Sequence, residues 1–477
     1  MSAPGEQHES LPVVARLDAS LSAEDVFRRL SSLPHVVFFD SAMRHATLGR
    51  YSFIAADPVE WRTETAGSGV LERLAQRPAK LPGTLKPDLP PFQGGWAGLF
   101  GYELANGLEA VPRARFDEFG TPDLAIGLYD VVVAFDHQEN SAWIISQGLP
   151  EVDAAARRER ATSRLVQFRS YLQMGNSNSA PYRETLPPIA SNQLAPQFKV
   201  AGRPGLTSNF AADDYRHAVQ QAIDYIYAGD VFQVNLSQRL LHAAAGDTVD
   251  LYCRLRKRNP APFAGYLDGG DWQIASASPE RFVRVDGADV ETRPIKGTRG
   301  RARRPEADMF AGAELQESEK DRAENIMIVD LLRNDLSRTC RPESVRVSQL
   351  CGLEMYEYVQ HLVSVVEGTL RPGLTALDVL RTSFPGGSIT GAPKIRAMEI
   401  IAELEPTVRG AYCGSLGYIG VGGQMDTSIL IRTITASRGW WQLPVGGGIV
   451  AQSDPQSEYE ETWHKAAGLL KALTARN

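Results

Sequence analysis

The chain has 477 residues, 43% of them hydrophobic, with a formal net charge of −7. This is ordinary globular composition with length for a large core, and its acidity disfavours nucleic acid or an anionic membrane as a general partner. No window nears the ~18 uninterrupted apolar residues of a membrane span, the start (Glu6, Glu9, no apolar stretch) carries no secretory signal, and Cys253, Cys340, Cys351 and Cys413 never pair as C-x-x-C, so the chain reads as reduced and cytoplasmic.

Residues 11–173 read as one mixed unit. A helix begins at Ser22, with Asp25 three residues on as a variant capping box. Residues 36–39 and 51–54 predict strands. Gly94-Gly95-Trp96-Ala97-Gly98 is too glycine-rich for a regular element and points to close backbone packing. Residues 130–135 predict a buried strand. Residues 174–207, rich in Asn, Ser, Pro and Gly, read as a linker or long loop. The region 208–475 opens with a helix whose Tyr215, Ala218, Val219, Ala222, Ile223 and Ile226 share a face, stopped by Gly229. Residues 231–240 then alternate, with Phe232, Val234 and Leu236 on one side and Gln233, Asn235, Ser237 and Arg239 on the other. A polar strand face inside a large protein is either wet or lines a site.

Candidate chemistry lies further on. After Gly446-Gly447-Gly448, a helical stretch places Glu458, Glu461 and Lys465 on one face at i, i+3 and i+7. A solvated charged helix is the bland account; the glycines favour an anion site, because backbone N–H groups can then approach closely. Asp321 and Glu324 form a second i, i+3 pair. Brought together, the two pairs make a hard-oxygen site suited to Mg²⁺, whereas zinc lacks its Cys/His cluster. Lys296 sits in Pro294-Ile295-Lys296-Gly297-Thr298, where flanking Arg293 and Arg299 are expected to favour the neutral amine of a nucleophile. Arg301, Arg303 and Arg304 follow, so the turn alone leaves a solvated basic loop equally open.

Ser278-Pro279-Glu280, the Pro-Ile-Lys-Gly-Thr turn, residues 320–335, Gln360-His361-Leu362-Val363-Ser364, and residues 385–394, 446–450 and 458–465 occur in this order. Together they resemble the chorismate-utilising enzymes: anthranilate synthase large subunits, aminodeoxychorismate synthase component I, and isochorismate and salicylate synthases. The resemblance is dense over 208–475 and looser before it. It implies the α+β anthranilate-synthase-type fold, two antiparallel β-sheets packed as a sandwich with helices outside, in one compact body.

The resemblance also implies roles. Glu324 and Glu461 resemble direct Mg²⁺ ligands, and Asp321 and Glu458 partners acting through water; Asp321 stands where the family has Glu. Tyr412, Arg432, Lys465 and the backbone of Gly446 and Gly448 resemble the groups that bind the carboxylates of chorismate, a guanidinium and an ammonium facing a dianion. Ser388 and Thr298 resemble further polar contacts. Glu280 resembles the general acid for the departing ring hydroxyl, and His361 a histidine beside the reacting ring or a structural one. Anthranilate synthases have alanine where Lys296 stands, aminodeoxychorismate synthases lysine; isochorismate and salicylate synthases have a water-activating lysine where Gln233 stands. The pair Gln233 and Lys296 therefore implies attack by the lysine at ring carbon 2 and amination at carbon 4. The rivals are anthranilate synthesis and non-catalytic binding of chorismate or tryptophan. Cys413 lies in Ala411-Tyr412-Cys413-Gly414-Ser415, without the Gly-x-Cys-x-Gly turn of a glutaminase, so ammonia is expected from a separate glutaminase subunit. Phe38-Phe39-Asp40-Ser41 and Asn259-Pro260-Ala261-Pro262-Phe263 fall where amino-acid-inhibited members carry a ligand pocket. The first stretch departs from their pattern, which predicts core packing there.

Overall fold

The reciprocal cap expected at Ser22 opens the first helix, Ala23–Leu30: Asp25 N donates to Ser22 Oγ at 3.2 Å and Ser22 N to Asp25 Oδ2 at 3.0 Å. The computed structural model describes residues 11–43, 48–67, 69–75, 83–173, 186–301, 304–355 and 359–474.

Alternating and continuous apolar runs pair into two sheets. The 13-stranded sheet runs in space Val13–Arg16, Ser141–Ser146, Val131–Asp136, Tyr51–Ala55, Val37–Asp40, Phe263–Asp268, Trp272–Ser278, Thr433–Ser437, Trp440–Ile449, Gln233–Ala243, Leu206–Ser208, Phe198–Lys199, with Gly391–Ala392 also on Gln233–Ala243. The 10-stranded sheet runs Ile295–Gly300, Val359–Thr369, Asp289–Arg293, Arg281–Asp286, Met425–Ile429, Ser415–Gly420, Gly95–Phe100, Leu124–Tyr129, Glu60–Glu64, with Arg346–Met355 also on Val359–Thr369. Among the described residues every strand pairing in both is antiparallel. Each sheet contains a contiguous block of strands from before residue 150, joined at one edge to strands from later in the chain: Val37–Asp40 pairs with Phe263–Asp268 in the larger sheet, and Gly95–Phe100 with Ser415–Gly420 in the smaller.

The sheets face each other across a shared apolar layer: Val37, Phe53, Leu267 and Ile274 from one meet Ala97, Leu99, Leu416 and Tyr418 from the other. Helices cover the outer faces. Ala23–Leu30, Ala154–Gln173, Thr248–Arg258 and Pro455–Leu473 pack on the larger sheet, and Glu319–Ser337 and Ala376–Ser383 on the smaller. This is the α+β sandwich that the resemblance implied. No helix among the described residues is long and apolar enough to cross a membrane.

The glycine-rich 94–98 stretch differs from expectation, since it is part of the regular strand Gly95–Phe100. Its glycines serve close approach within the sheet: a Cβ would lie 2.9 Å from Gly420 Cα at Gly95 and 2.9 Å from Ile126 Cα at Gly98. The first third of the expected linker, 174–185, lies outside the described residues. From 186 on, the chain packs on the body, with Trp440 Nε1 donating to Ile189 O at 3.0 Å and Ala195 N to Glu118 Oε1 at 3.1 Å. The alternating strand begins at Gln233, so Val234 and Leu236 join the apolar cluster of Tyr215 and Val219, while Phe232 before it is 71% exposed.

Candidate active site

The polar face of Gln233–Ala243 runs beside the triple glycine: Asn235 pairs with Gly448, Leu236 with Gly447 and Ser237 with Gly446. The glycines leave space that side chains use. A Cβ at Gly448 would lie 3.5 Å from Lys296 Nζ and 3.1 Å from Gln233 Cδ; one at Gly447 would lie 3.3 Å from Glu458 Oε2, 3.4 Å from Lys465 Nζ and 3.7 Å from Glu461 Oε1. Residues scattered from 233 to 465 thus meet over one strand. Gln233 is 0% exposed, yet neither its Nε2 nor its Oε1 has a hydrogen-bond partner, and Asn235 Oδ1 is likewise unpartnered. Buried orphaned amides are rare and point to a ligand or water that completes them.

A second cluster is built around the buried Glu280. Glu280 is 4% exposed. Burial pushes its carboxyl up to about 7, against the pull of Ser388, Lys296, Ile295 N–H and Arg432 toward the ionised form. Ser388 Oγ donates to Glu280 Oε1 at 2.6 Å, and Lys296 Nζ donates to Ser388 O at 3.3 Å. A carboxyl poised near neutrality is the group an acid catalyst needs. Arg432, held at φ 51, has no hydrogen bond or ion pair to its guanidinium among the described residues. Burial lowers its pKa, with Glu280 opposing. An arginine so placed is a ready partner for a carboxylate ligand. Burial, then Arg432, holds His361 down at about 3, so its ring is neutral. His361 Nδ1 lies 2.8 Å from Thr298 Oγ1, and Thr298 is an exposed residue on the strand opposite. Tyr412 is buried in the turn at 410–413, its N donating to Arg409 O at 3.1 Å.

The two carboxylate pairs face each other from Glu319–Ser337 and Pro455–Leu473. Burial raises the carboxyl of Glu324; Lys296 and Lys320 oppose this, and Asp321 and Glu458 add to it. Glu461 is also pushed up by burial, but Lys465 outweighs that and holds it below the usual range. Lys465 Nζ lies 2.7 Å from Glu461 Oε1 and donates to Gly446 O at 2.8 Å; Lys320 Nζ lies 3.5 Å from Glu458 Oε1. Among the described residues no three acidic or His/Cys side chains close on one point as a ready cage. The donor set still fits a hard cation: mutually repelling carboxylates with lysines as stand-in counter-charges. Glu324, destabilised as an anion, gains most from one.

Two expectations need correction. Arg293 and Arg299 are occupied by carboxylates, Arg293 by Glu354 and Arg299 by Glu314 and Asp321. The charges that act together with Lys296 are instead Glu280, Glu324 and Glu461. The segment expected to be packed core lines a cavity of about 300 Å³ with Phe39, Asp40, Ser41, Pro262, Phe263 and Arg281 among its walls. Asp40 itself is bound by Tyr252 and Arg256, not left facing the space unpaired. Sequence reasoning singled out neither Lys320 nor the buried Glu405–Arg409 pair; Lys320 adjoins Asp321 in a motif, whereas an i, i+4 Glu–Arg spacing looks like any surface pair.

Residues 40–471 match the family of chorismate binding enzymes. Aminodeoxychorismate synthase component 1 of Escherichia coli (strain K12) is 39% identical over 95% of this chain and 96% of its own length. Anthranilate synthase component 1 of Thermus thermophilus is 43% identical over 81% and 79%. The crystal structure of anthranilate synthase component I from Streptococcus pneumoniae TIGR4 superposes with a TM-score of 0.74 at 32% identity, covering 90% of this chain and 93% of that one. With that coverage, and with the motif residues gathered at one site, the chain belongs to the chorismate binding enzyme family.

Proposed function

We propose that the chain is an aminodeoxychorismate synthase component I, which exchanges the carbon-4 hydroxyl of chorismate for an amino group. The carrying observation is a lysine amine, Lys296, next to Ser388 O and a Glu280 carboxyl poised at about 7. Lys296 Nζ forms a bond to ring carbon 2, the ring π electrons shift, and the carbon-4 C–O bond breaks as Glu280 gives the departing hydroxyl its proton. The secondary ammonium returns a proton to Glu280. Ammonia then adds at carbon 4, the π electrons shift back, the carbon-2 C–N bond breaks as Glu280 protonates the leaving amine, and the new carbon-4 ammonium returns a proton to Glu280. The sum is chorismate plus ammonia to aminodeoxychorismate plus water. Arg432, Tyr412, Lys465 and the backbone at Gly446 and Gly448 orient the carboxylates of chorismate, and the Gln233 amide, without internal partners, is available to ammonia. Mg²⁺, held by Glu324 and Glu461 with Asp321 and Glu458 behind water, would supply positive charge to the ring carboxylate.

The second reading, anthranilate synthesis, is favoured by the 43% identity to the T. thermophilus relative. Lys296 weighs against it. The relatives' title as component 1 and the absence of a glutaminase motif support a separate glutaminase subunit as the ammonia source. All four cysteines are free and buried, which suits a cytoplasmic enzyme. The test is chorismate, Mg²⁺ and ammonium salt, with products separated by mass, and intact-protein mass without ammonia. Aminodeoxychorismate and an adduct on the Lys296 peptide are expected; fluorescent anthranilate as the sole product would overturn the reading.

A further inference from the structure

Behind the site, with its side chains only 2% and 3% exposed, lies the Glu405–Arg409 ion pair. Arg409 Nε donates to Glu405 Oε2 at 2.9 Å and Nη2 to Oε1 at 2.6 Å. The remaining donors of the fork leave the pair. Nη1 reaches Ile389 O at 2.9 Å, and Nη2 reaches Asn235 O at 3.0 Å. Glu405 Oε1 also accepts from Ser237 N at 2.8 Å and Ser237 Oγ at 2.9 Å. The Arg409 backbone is held in turn from the N-terminal half, where Glu103 accepts from Arg409 N at 2.8 Å and Gly410 N at 2.9 Å.

One guanidinium therefore rivets the walls of the reaction cleft together. Ile389 follows Ser388 in the turn Gly387–Ile389, and Ser388 supplies both the hydroxyl on Glu280 and the carbonyl on Lys296. Asn235 faces Gly448 across the strand pair and donates through its N to Thr390 O at 2.8 Å. Tyr412 takes its place from Arg409 O. A lysine has no fork and cannot meet Glu405, Ile389 O and Asn235 O at once.

We propose that Arg409, locked by Glu405, is a positioning residue that fixes Ser388 against Glu280 and Lys296, so that the acid and the nucleophile act on one substrate geometry. The proposal deepens the amination reading and rests on it. Neither residue touches the reacting atoms. Their effect passes through the Ser388 turn, and the Ser388 hydroxyl favours the ionised form of Glu280. Loosening the turn must therefore move the Glu280 titration upward.

The variants are Arg409→Lys and the gentler Glu405→Gln, which keeps shape and one acceptor, with Ser388→Ala as the comparison. In the substrate-free protein, infrared titration follows the Glu280 carboxylic-acid band, assigned by its loss in Glu280→Gln. Both variants are expected to raise its midpoint, in the direction of Ser388→Ala, and the limb of the pH–rate profile that reports Glu280 moves with it. With chorismate and ammonium, kcat and kcat/KM fall together by about 10- to 100-fold. If Ser388→Ala moves the titration and neither variant does, or if both variants fail to fold, the pair is a structural rivet and the inference is overturned. A wild-type protein that makes no amino product from chorismate would overturn the functional reading instead, leaving the infrared result standing.

Discussion

Gly448→Ala puts the smallest side chain where the site has no room for one. Position 448 does not lie in the left-handed region, so alanine meets no backbone penalty there. Its Cβ would sit 3.1 Å from Gln233 Cδ, closer still to Nε2, and 3.5 Å from Lys296 Nζ. Ordinary contact then requires the Gln233 amide to retreat by about 1 Å, and only packing resists, because that amide has no hydrogen bond to lose. A misplacement of about 1 Å beside a nucleophile costs about 100-fold, or ~2.7 kcal/mol of barrier. Gly446→Ala differs in kind: its Cβ would lie 2.6 Å from Ser237 Cβ and nearer to Leu236 O, a backbone atom held in the sheet. We expect Gly448→Ala to keep its melting temperature within a few degrees while kcat/KM with chorismate and ammonium falls about 100-fold. Gly446→Ala should lose fold stability first. Wild-type kcat/KM in a folded Gly448→Ala enzyme would refute the placement of Gln233 and Lys296 against the reacting ring.

Other expectations can be checked separately. The Glu280 carboxyl, raised to about 7 from 4.5, stabilises the fold fully below pH ~4.5 and loses that contribution as pH rises through 7. Glu280→Gln should therefore match the wild type near pH 4.5 and exceed it by about 3 kcal/mol near pH 8 in urea unfolding, and an equal difference at both would refute the burial argument. By calorimetry, Glu324→Gln and Glu461→Gln should abolish Mg²⁺ binding, whereas Asp321→Asn and Glu458→Gln weaken it about 10- to 100-fold; uniform effects would dissolve the inner and outer assignment. The pure chain should use ammonium at raised pH but not glutamine, and glutamine turnover without a partner would sink the separate-glutaminase reading.

What the amino-acid sequence disclosed depended on how far each feature reaches. The Ser22–Asp25 cap and the i, i+3 pairs Asp321/Glu324 and Glu458/Glu461 are local, so spacing alone placed each on a helix. The polar side of Gln233–Ala243 was equally legible, because strand alternation is local too. Long-range contacts were not. Arg293 and Arg299 flank Lys296 in the chain, but carboxylates up to 61 residues away hold them, and this inverts the charge environment that adjacency suggested. Phe39 and Ser41 read as core because their stretch departs from the pattern of the amino-acid-inhibited members; the cavity they border is completed by Phe263 and Tyr418 from far along the chain.

Arg409 takes this furthest. Its spacing from Glu405 is that of a surface pair worth a few tenths of a kcal/mol. Its contact with Asn235 crosses 174 residues, and the backbone groups it satisfies would otherwise be buried and unpaired. Burying such a pair is costly in itself, and an apolar pair of similar volume would often be more stable. An apolar pair could not, however, hold Ile389 O, Asn235 O and Ser237 N in one orientation. A covalent route through Lys296 needs that orientation, because the amine, the acid and the leaving hydroxyl must align at the same moment. The site's precision is therefore set one layer behind the residues that touch substrate, where local sequence patterns carry least information.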